Sequence, residues 1–174
     1  EWAIFNRVRY SYCVGACDVS TNYWVRLSKE NMVFSAAHFI TFGGDVCERL
    51  HGHNYQVAAY VFGPLDENEY VVDFIALRDS LRAVLDELDH HMLLPTQHRL
   101  IQVQDQGAEV EVRFRCRRWV FPREDCTLLP MANTTAERLA EYIGKRLLAR
   151  LESQLGQRPQ RVRIEVDENF GQWA

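Results

Sequence analysis

The chain has 174 residues, 47% of them hydrophobic and 25% charged, with a formal net charge of -4. That size and balance fit one globular domain with a sizeable core and exclude a disordered or fibrous chain. The negative charge argues against nucleic acid as a partner, and no stretch approaches the roughly 20 uninterrupted apolar residues of a spanning helix, so no membrane partner is expected either. The N-terminus shows no basic region followed by an apolar run, and a cytoplasmic location is expected. The five cysteines, Cys13, Cys17, Cys47, Cys116 and Cys126, are an odd number without the spacing of a small secreted domain, which favours free thiols. Cys13 and Cys17 lack the second pair that a structural zinc site requires.

In chain order, residues 1–22 carry no clear period and read as an N-terminal arm or extra strand. Strand-like runs follow at Trp24 to Leu27 and Met32 to Ser35, the second continuing into Phe34-Ser35-Ala36-Ala37-His38. The strongest strand is Tyr55 to Phe62, closed by Gly63-Pro64. Extended back to His51, it places His51 and His53 on one face, because side chains two apart in a strand point the same way. Asp73 is the expected N-cap of a helix whose Leu77, Leu81, Val84, Leu85 and Leu88 recur at three- and four-residue steps, running into Leu88 to Pro95 where proline stops it. Alternating segments at 101–104, 109–115 and 118–121 predict a half-exposed hairpin inside a region of about 96–131. A second helix starts near Thr134, which with Glu137 has the spacing of a capping box, and carries its apolar stripe through Leu139, Ile143, Leu147 and Leu151 to Gly156. Val162, Ile164 and Val166 alternate in a last strand. The order strand, strand, helix, hairpin, helix, strand gives a single α+β domain over 23–174.

Cys47-Glu48-Arg49-Leu50-His51-Gly52-His53 places a thiol and two imidazoles within seven residues. A catalytic zinc takes three protein ligands and keeps one position open. His38, His51 and His53 supply three if the strand ending at His38 lies beside the strand beginning at His51; otherwise each is a polar edge residue. Cys47 reads as a fourth ligand, a buried apolar filler or a reactive thiol; a dication nearby would lower its pKa from about 8.5, and without partners burial is favoured. Asp89-His90 pairs an orienting carboxylate with a general acid or base, a pairing that is also common on solvated helix ends.

Taken together, Phe34-Ser35-Ala36-Ala37-His38, Cys47-x-x-x-His51-Gly52-His53-Asn54-Tyr55, Val72-Asp73-Phe74-x-x-Leu77-Arg78, Leu88-Asp89-His90 and Asn133-x-Thr135-x-Glu137-x-Leu139-Ala140 resemble the 6-pyruvoyl- and 6-carboxytetrahydropterin synthases. The resemblance covers roughly 23–94 and 132–170. It implies a tunnelling fold, with a four-stranded antiparallel sheet, two helices on one face and here an inserted hairpin, associating through its sheets into a homo-oligomer, commonly a hexamer. It also implies Zn2+ on His38, His51 and His53, Cys47 as proton-abstracting base, Asp89 and His90 as an acid and base pair supplied across a subunit interface, and Glu168 and Thr135 in the pterin pocket. Glu165 is a rival for Glu168, disfavoured by strand parity. The three-residue spacer between Cys47 and His51 is similar to the carboxy branch, which acts in queuosine precursor synthesis. That branch converts 7,8-dihydroneopterin triphosphate to 6-carboxy-5,6,7,8-tetrahydropterin, losing triphosphate and acetaldehyde. The alternatives are the pyruvoyl product, another pterin-side-chain lyase of this fold, or a non-catalytic zinc- or pterin-binding protein. Leu94 and Asn169 depart from the family pattern, where Asn and Thr are usual.

Overall fold

A computed structural model describes residues 23–43, 46–156, 159–168 and 171–174. The N-terminal arm, Cys13, Cys17 and Asn169 lie outside the described residues. In chain order the elements are β1 Tyr23–Leu27, β2 Val33–His38, β3 Thr41–Phe42, β4 Val46–Cys47, β5 His51–Gly63, α1 Phe74–Asp86, β6 His91–Pro95, β7 Gln102–Asp105, β8 Glu109–Phe114, β9 Arg117–Pro122, β10 Cys126–Leu129, α2 Ala136–Leu155 and β11 Arg161–Asp167. A single 3-10 turn, Arg123–Asp125, separates β9 from β10.

The long strand β5 organises the main sheet. Gln56 pairs with Val33 of β2 and Asp167 of β11, so these two strands flank it on opposite edges. β1 pairs with residues 59–63 of β5, which overlap the stretch paired with β11, and therefore lies on the same edge as β2. β6 and β10 then extend the sheet beyond β2, both in parallel pairings. The main sheet thus has six strands and is mixed, where four antiparallel strands were expected.

Alternation along β5 decides which face the helices cover. Tyr55, Val57, Ala59 and Val61 are buried and join Phe34 of β2, Leu77, Leu81 and Leu85 of α1, and Leu139, Ile143 and Leu147 of α2 in one core. The Phe34 and Tyr55 rings stack at 4.6 Å within it. Each helix buries a stripe at three- and four-residue steps, which is what an amphipathic helix presents to a sheet. Asp73 caps α1 as expected, accepting from Ile75 N at 2.6 Å and Ala76 N at 3.1 Å. Among the described residues the opposite sheet face carries no helix; it displays Trp24 beside Tyr60, with Arg161 stacked on Phe62.

Three local readings differ. Helix α1 ends at Asp86, and the segment read as its continuation is a turn followed by β6, because Met92 to Leu94 are needed as a buried strand. The N-cap of α2 is Thr135, so Thr134 and Glu137 form no capping box; Thr134 is fully buried and its carbonyl is engaged by His38. The region around 96–131 is a three-stranded antiparallel meander, β7-β8-β9, rather than a hairpin. It closes a second core of Phe39, Met92, Leu94, Ile101, Val110, Val112 and Phe114.

Candidate active site

The register of β2 on β5 sets His38 opposite His51 and Ala36 opposite His53, so the three imidazoles share one face at the open end of the sheet. Gly52 lets the strands meet there: a Cβ at this position would lie 3.0 Å from Ala36 O, with backbone rather than a movable side chain in the way. The imidazole ligand atoms all lie within 4.8 Å of one another, and ring centroids are 4.7 to 5.3 Å apart.

Hydrogen bonds assign the ring tautomers. His38 Nδ1 is 2.9 Å from Thr134 O and His51 Nδ1 is 2.8 Å from Arg49 O; a carbonyl only accepts, so each Nδ1 carries a proton and Nε2 is the nitrogen left to face the cluster. Burial lowers the His38 pKa most, with neighbouring His51 and His53 acting in the same direction against the Thr134 carbonyl and Glu168. Three imidazoles whose ligand atoms converge are the donor set that a dication such as zinc takes, and three protein ligands would leave its fourth position open.

Glu168 follows β11 and reaches this cluster. Its Oε1 accepts from Tyr55 Oη at 3.2 Å and lies 3.4 Å from His38 Nε2 and 3.9 Å from His53 Nε2. Burial foremost, and then Glu168, push the Tyr55 hydroxyl well above the ordinary range, so it stays a donor. Tyr55 was not singled out in the sequence, although it lies two residues beyond His53 on the same strand face. Glu165 turns the other way, to Tyr60 Oη at 3.0 Å and Arg163.

Cys47 is not among the converging ligands. It sits on β4, half-buried against the second core, with Sγ–H donating to Glu48 O at 3.5 Å. Burial raises its pKa most, Glu48 adds to that, and Arg117 opposes it. The carboxylate of Glu48, also not singled out in the sequence, approaches His51 Nε2 at 3.9 Å.

Asp89 and His90 form a pair, with His90 Nδ1 3.0 Å from Asp89 Oδ2. Ser35 pins both: its N–H donates to Asp89 Oδ1 at 2.7 Å and its carbonyl accepts from His90 N at 2.6 Å. The bond from Ser35 foremost, then His90, holds the Asp89 carboxyl below its usual range despite some burial. His90 adopts a positive φ of 59° and its side chain is 81% exposed. It lines a cleft of about 620 Å³ together with Leu50, Asn54, Phe121 and one member of the imidazole cluster, His53. Thr135 is outside that lining; its hydroxyl bonds Glu137 at the start of α2.

The model of the family described as 6-pyruvoyl tetrahydropterin synthase matches residues 26–174. A protein of Methanocaldococcus jannaschii assigned as a 6-carboxy-5,6,7,8-tetrahydropterin synthase is 31% identical over 142 residues, which is 81% of this chain and 86% of that one. A dihydroneopterin monophosphate aldolase of Pyrococcus furiosus is 37% identical over 60 residues, 34% of this chain and 50% of that one. Among solved structures, the 6-pyruvoyl tetrahydropterin synthase of Plasmodium falciparum superposes with a TM-score of 0.80 at 29% identity, covering 88% of this chain and 95% of that chain. The Plasmodium vivax enzyme, as a variant exchanging a glutamate described as a catalytic residue for cysteine, gives 0.81 at 27% identity with the same coverage.

Proposed function

The chain belongs to the 6-pyruvoyl tetrahydropterin synthase family, and from that premise we propose that it is a zinc-dependent lyase of the carboxy branch. Its substrates are 7,8-dihydroneopterin triphosphate and water, and its products are 6-carboxy-5,6,7,8-tetrahydropterin, triphosphate and acetaldehyde, a step in queuosine precursor synthesis. The observation that carries the reading is the convergence of three imidazoles beside Glu168, in a chain whose relatives include one assigned to the carboxy branch.

His38, His51 and His53 hold the zinc, which when bound polarises the oxygens of the substrate side chain. Glu168 receives the amino and ring N–H groups of the pterin, its Oε1 kept in place by the Tyr55 hydroxyl. Cys47 is the base that takes a proton from the substrate side chain. Its raised thiol pKa disfavours the thiolate until a dication sits near it. Asp89 orients His90 for proton return, and Thr135 lines the pterin pocket. The exposed His90, on the rim of a shared cleft, fits donation to the site of a neighbouring copy, so the active form is a homo-oligomer, a hexamer by resemblance.

A second reading concerns the base. The Glu48 carboxylate comes within 3.9 Å of His51 Nε2, and the P. vivax enzyme has a catalytic glutamate. With Glu48 as base the side chain is cleaved in an aldol-type step, as the name of the P. furiosus relative describes for that protein. Incubating the zinc-loaded protein with dihydroneopterin triphosphate separates these outcomes. Acetaldehyde and free triphosphate support the carboxy branch, and a pyruvoyl product without acetaldehyde moves the protein to the other branch. A released two-carbon aldehyde that keeps the phosphates supports aldol-type cleavage. Absence of turnover in zinc-loaded protein leaves a binding protein.

A further inference from the structure

Cys47 and Glu48, the two candidate bases, lie between the cluster ligands His38 and His51, in a stretch whose Thr41 is fixed by Asn133 and His98. β3 and β4 pair over two residues each, and Glu48 N donates to Ile40 O at 3.0 Å. A group from the meander reaches across to it. Arg117, at the start of β9, donates from Nη1 to Cys47 O at 2.9 Å and from Nη2 to Glu48 O at 3.0 Å. The planar fork of a guanidinium suits two adjacent carbonyls, where an ammonium would be a single point of attachment. The fork is itself fixed: it lies over the Trp119 ring at 4.5 Å, and Trp119 stacks on Phe39 at 4.8 Å with the ring planes 18° apart. Phe39 is fully buried and follows the ligand His38 directly. A continuous chain of contacts therefore runs from His38 and Phe39 through Trp119 and Arg117 to the backbone of Cys47 and Glu48.

We infer that Arg117 is a positioning residue of the reaction, setting the distance between the proton-abstracting segment and the imidazole cluster by clamping the Cys47 and Glu48 carbonyls. This rests on the proposed lyase function, and it holds whichever of the two side chains is the base. The meander then has a role beyond filling the second core: it carries the clamp. Arg118, the next residue, supplies an internal comparison, because it points to the other side of β9 and pairs with Glu111.

The test compares Arg117→Met, which keeps an apolar stem over Trp119, with Arg118→Met, which removes the same charge from the opposite face. Misplacement of a reacting group by about 1 Å costs up to about a hundredfold. Arg117→Met is expected to lower kcat by roughly tenfold or more, with KM and bound zinc per chain unchanged, and Arg118→Met to stay near wild type. Wild-type kcat in Arg117→Met, an equal loss in Arg118→Met, or a raised KM with kcat kept would each overturn the inference, the last by making Arg117 a substrate ligand. If Arg117→Met does not fold, Arg117→Lys replaces it; partial kcat is expected from one restored carbonyl bond, and full kcat overturns the clamp. If wild-type protein turns over no dihydroneopterin triphosphate, the functional reading has failed independently. The clamp is then read from iodoacetamide alkylation of Cys47, followed by peptide mass at fixed pH. A rate in Arg117→Met several-fold different from both wild type and Arg118→Met supports it, and equal rates overturn it.

Discussion

Two adjacent side chains, Cys47 and Glu48, stand in different environments, and the difference decides what each can do. The thiol is half-buried against apolar neighbours, which favours its neutral form, whereas the carboxylate faces His51. If the thiolate is the base, Cys47→Ala abolishes turnover while zinc stays bound, and Glu48→Gln retains most of it. Aldol-type turnover by Glu48 gives the reverse order. Product formation by the two variants, each with its zinc content, checks this; equal and full activity in both would remove the base from this segment. The imidazoles were legible in the sequence because a His-Gly-His on a strand fixes their shared face. Tyr55 was not, since its part in the site depends on Glu168 returning from 113 positions away; Glu48 lies only three residues before His51, but nothing local marks that its carboxylate turns toward the ring.

Among the elements, local patterning carried the helices and long-range pairing did not announce itself. α1 and α2 follow from apolar residues at helical steps, and the α1 cap follows from Asp73 two and three residues ahead of the amides it accepts. Asp73→Ala is expected to cost about 1 kcal/mol, because Ile75 N and Ala76 N lose their acceptor at the helix start. Urea unfolding of the variant measures it, and an unchanged midpoint would contradict the role. β6 and β10 escaped the sequence reading: Met92-Leu93-Leu94 directly after a helix reads as more helix, and parallel pairing between segments more than thirty residues apart leaves no local period. The β7-β8-β9 meander was legible as alternation, yet its packing against Phe39 and its reach to Cys47 were not.

Across the whole molecule, the helix pair is tied at one point by charge. Glu87, at the C-cap of α1, accepts from Arg146 at 2.7 Å and Arg150 at 2.9 Å on α2. Burial works against its carboxylate, but the two guanidiniums outweigh that and hold its pKa below the usual value. A folded-state pKa below the unfolded one gives stability that is fully present above the unfolded value, about 4.3, and is lost as pH falls through the folded value. Glu87→Gln should therefore be less stable than wild type at neutral pH by on the order of 1 kcal/mol, with the gap closing on acidification. Urea midpoints of both proteins at pH 7 and in the acid limb test this, and a gap independent of pH would contradict it. Among the described residues no helix is long and apolar enough to cross a membrane.

These scales meet at the imidazole cluster, where strand register, a close-packed glycine and two backbone carbonyls bring three histidine rings together. The most direct test is turnover of dihydroneopterin triphosphate by chelator-stripped protein before and after titration with zinc. Acetaldehyde should be absent without metal and appear in proportion to added zinc up to one equivalent per chain, with His51→Ala failing to recover. Equal turnover with and without metal, or recovery in His51→Ala, would contradict a zinc centre on His38, His51 and His53.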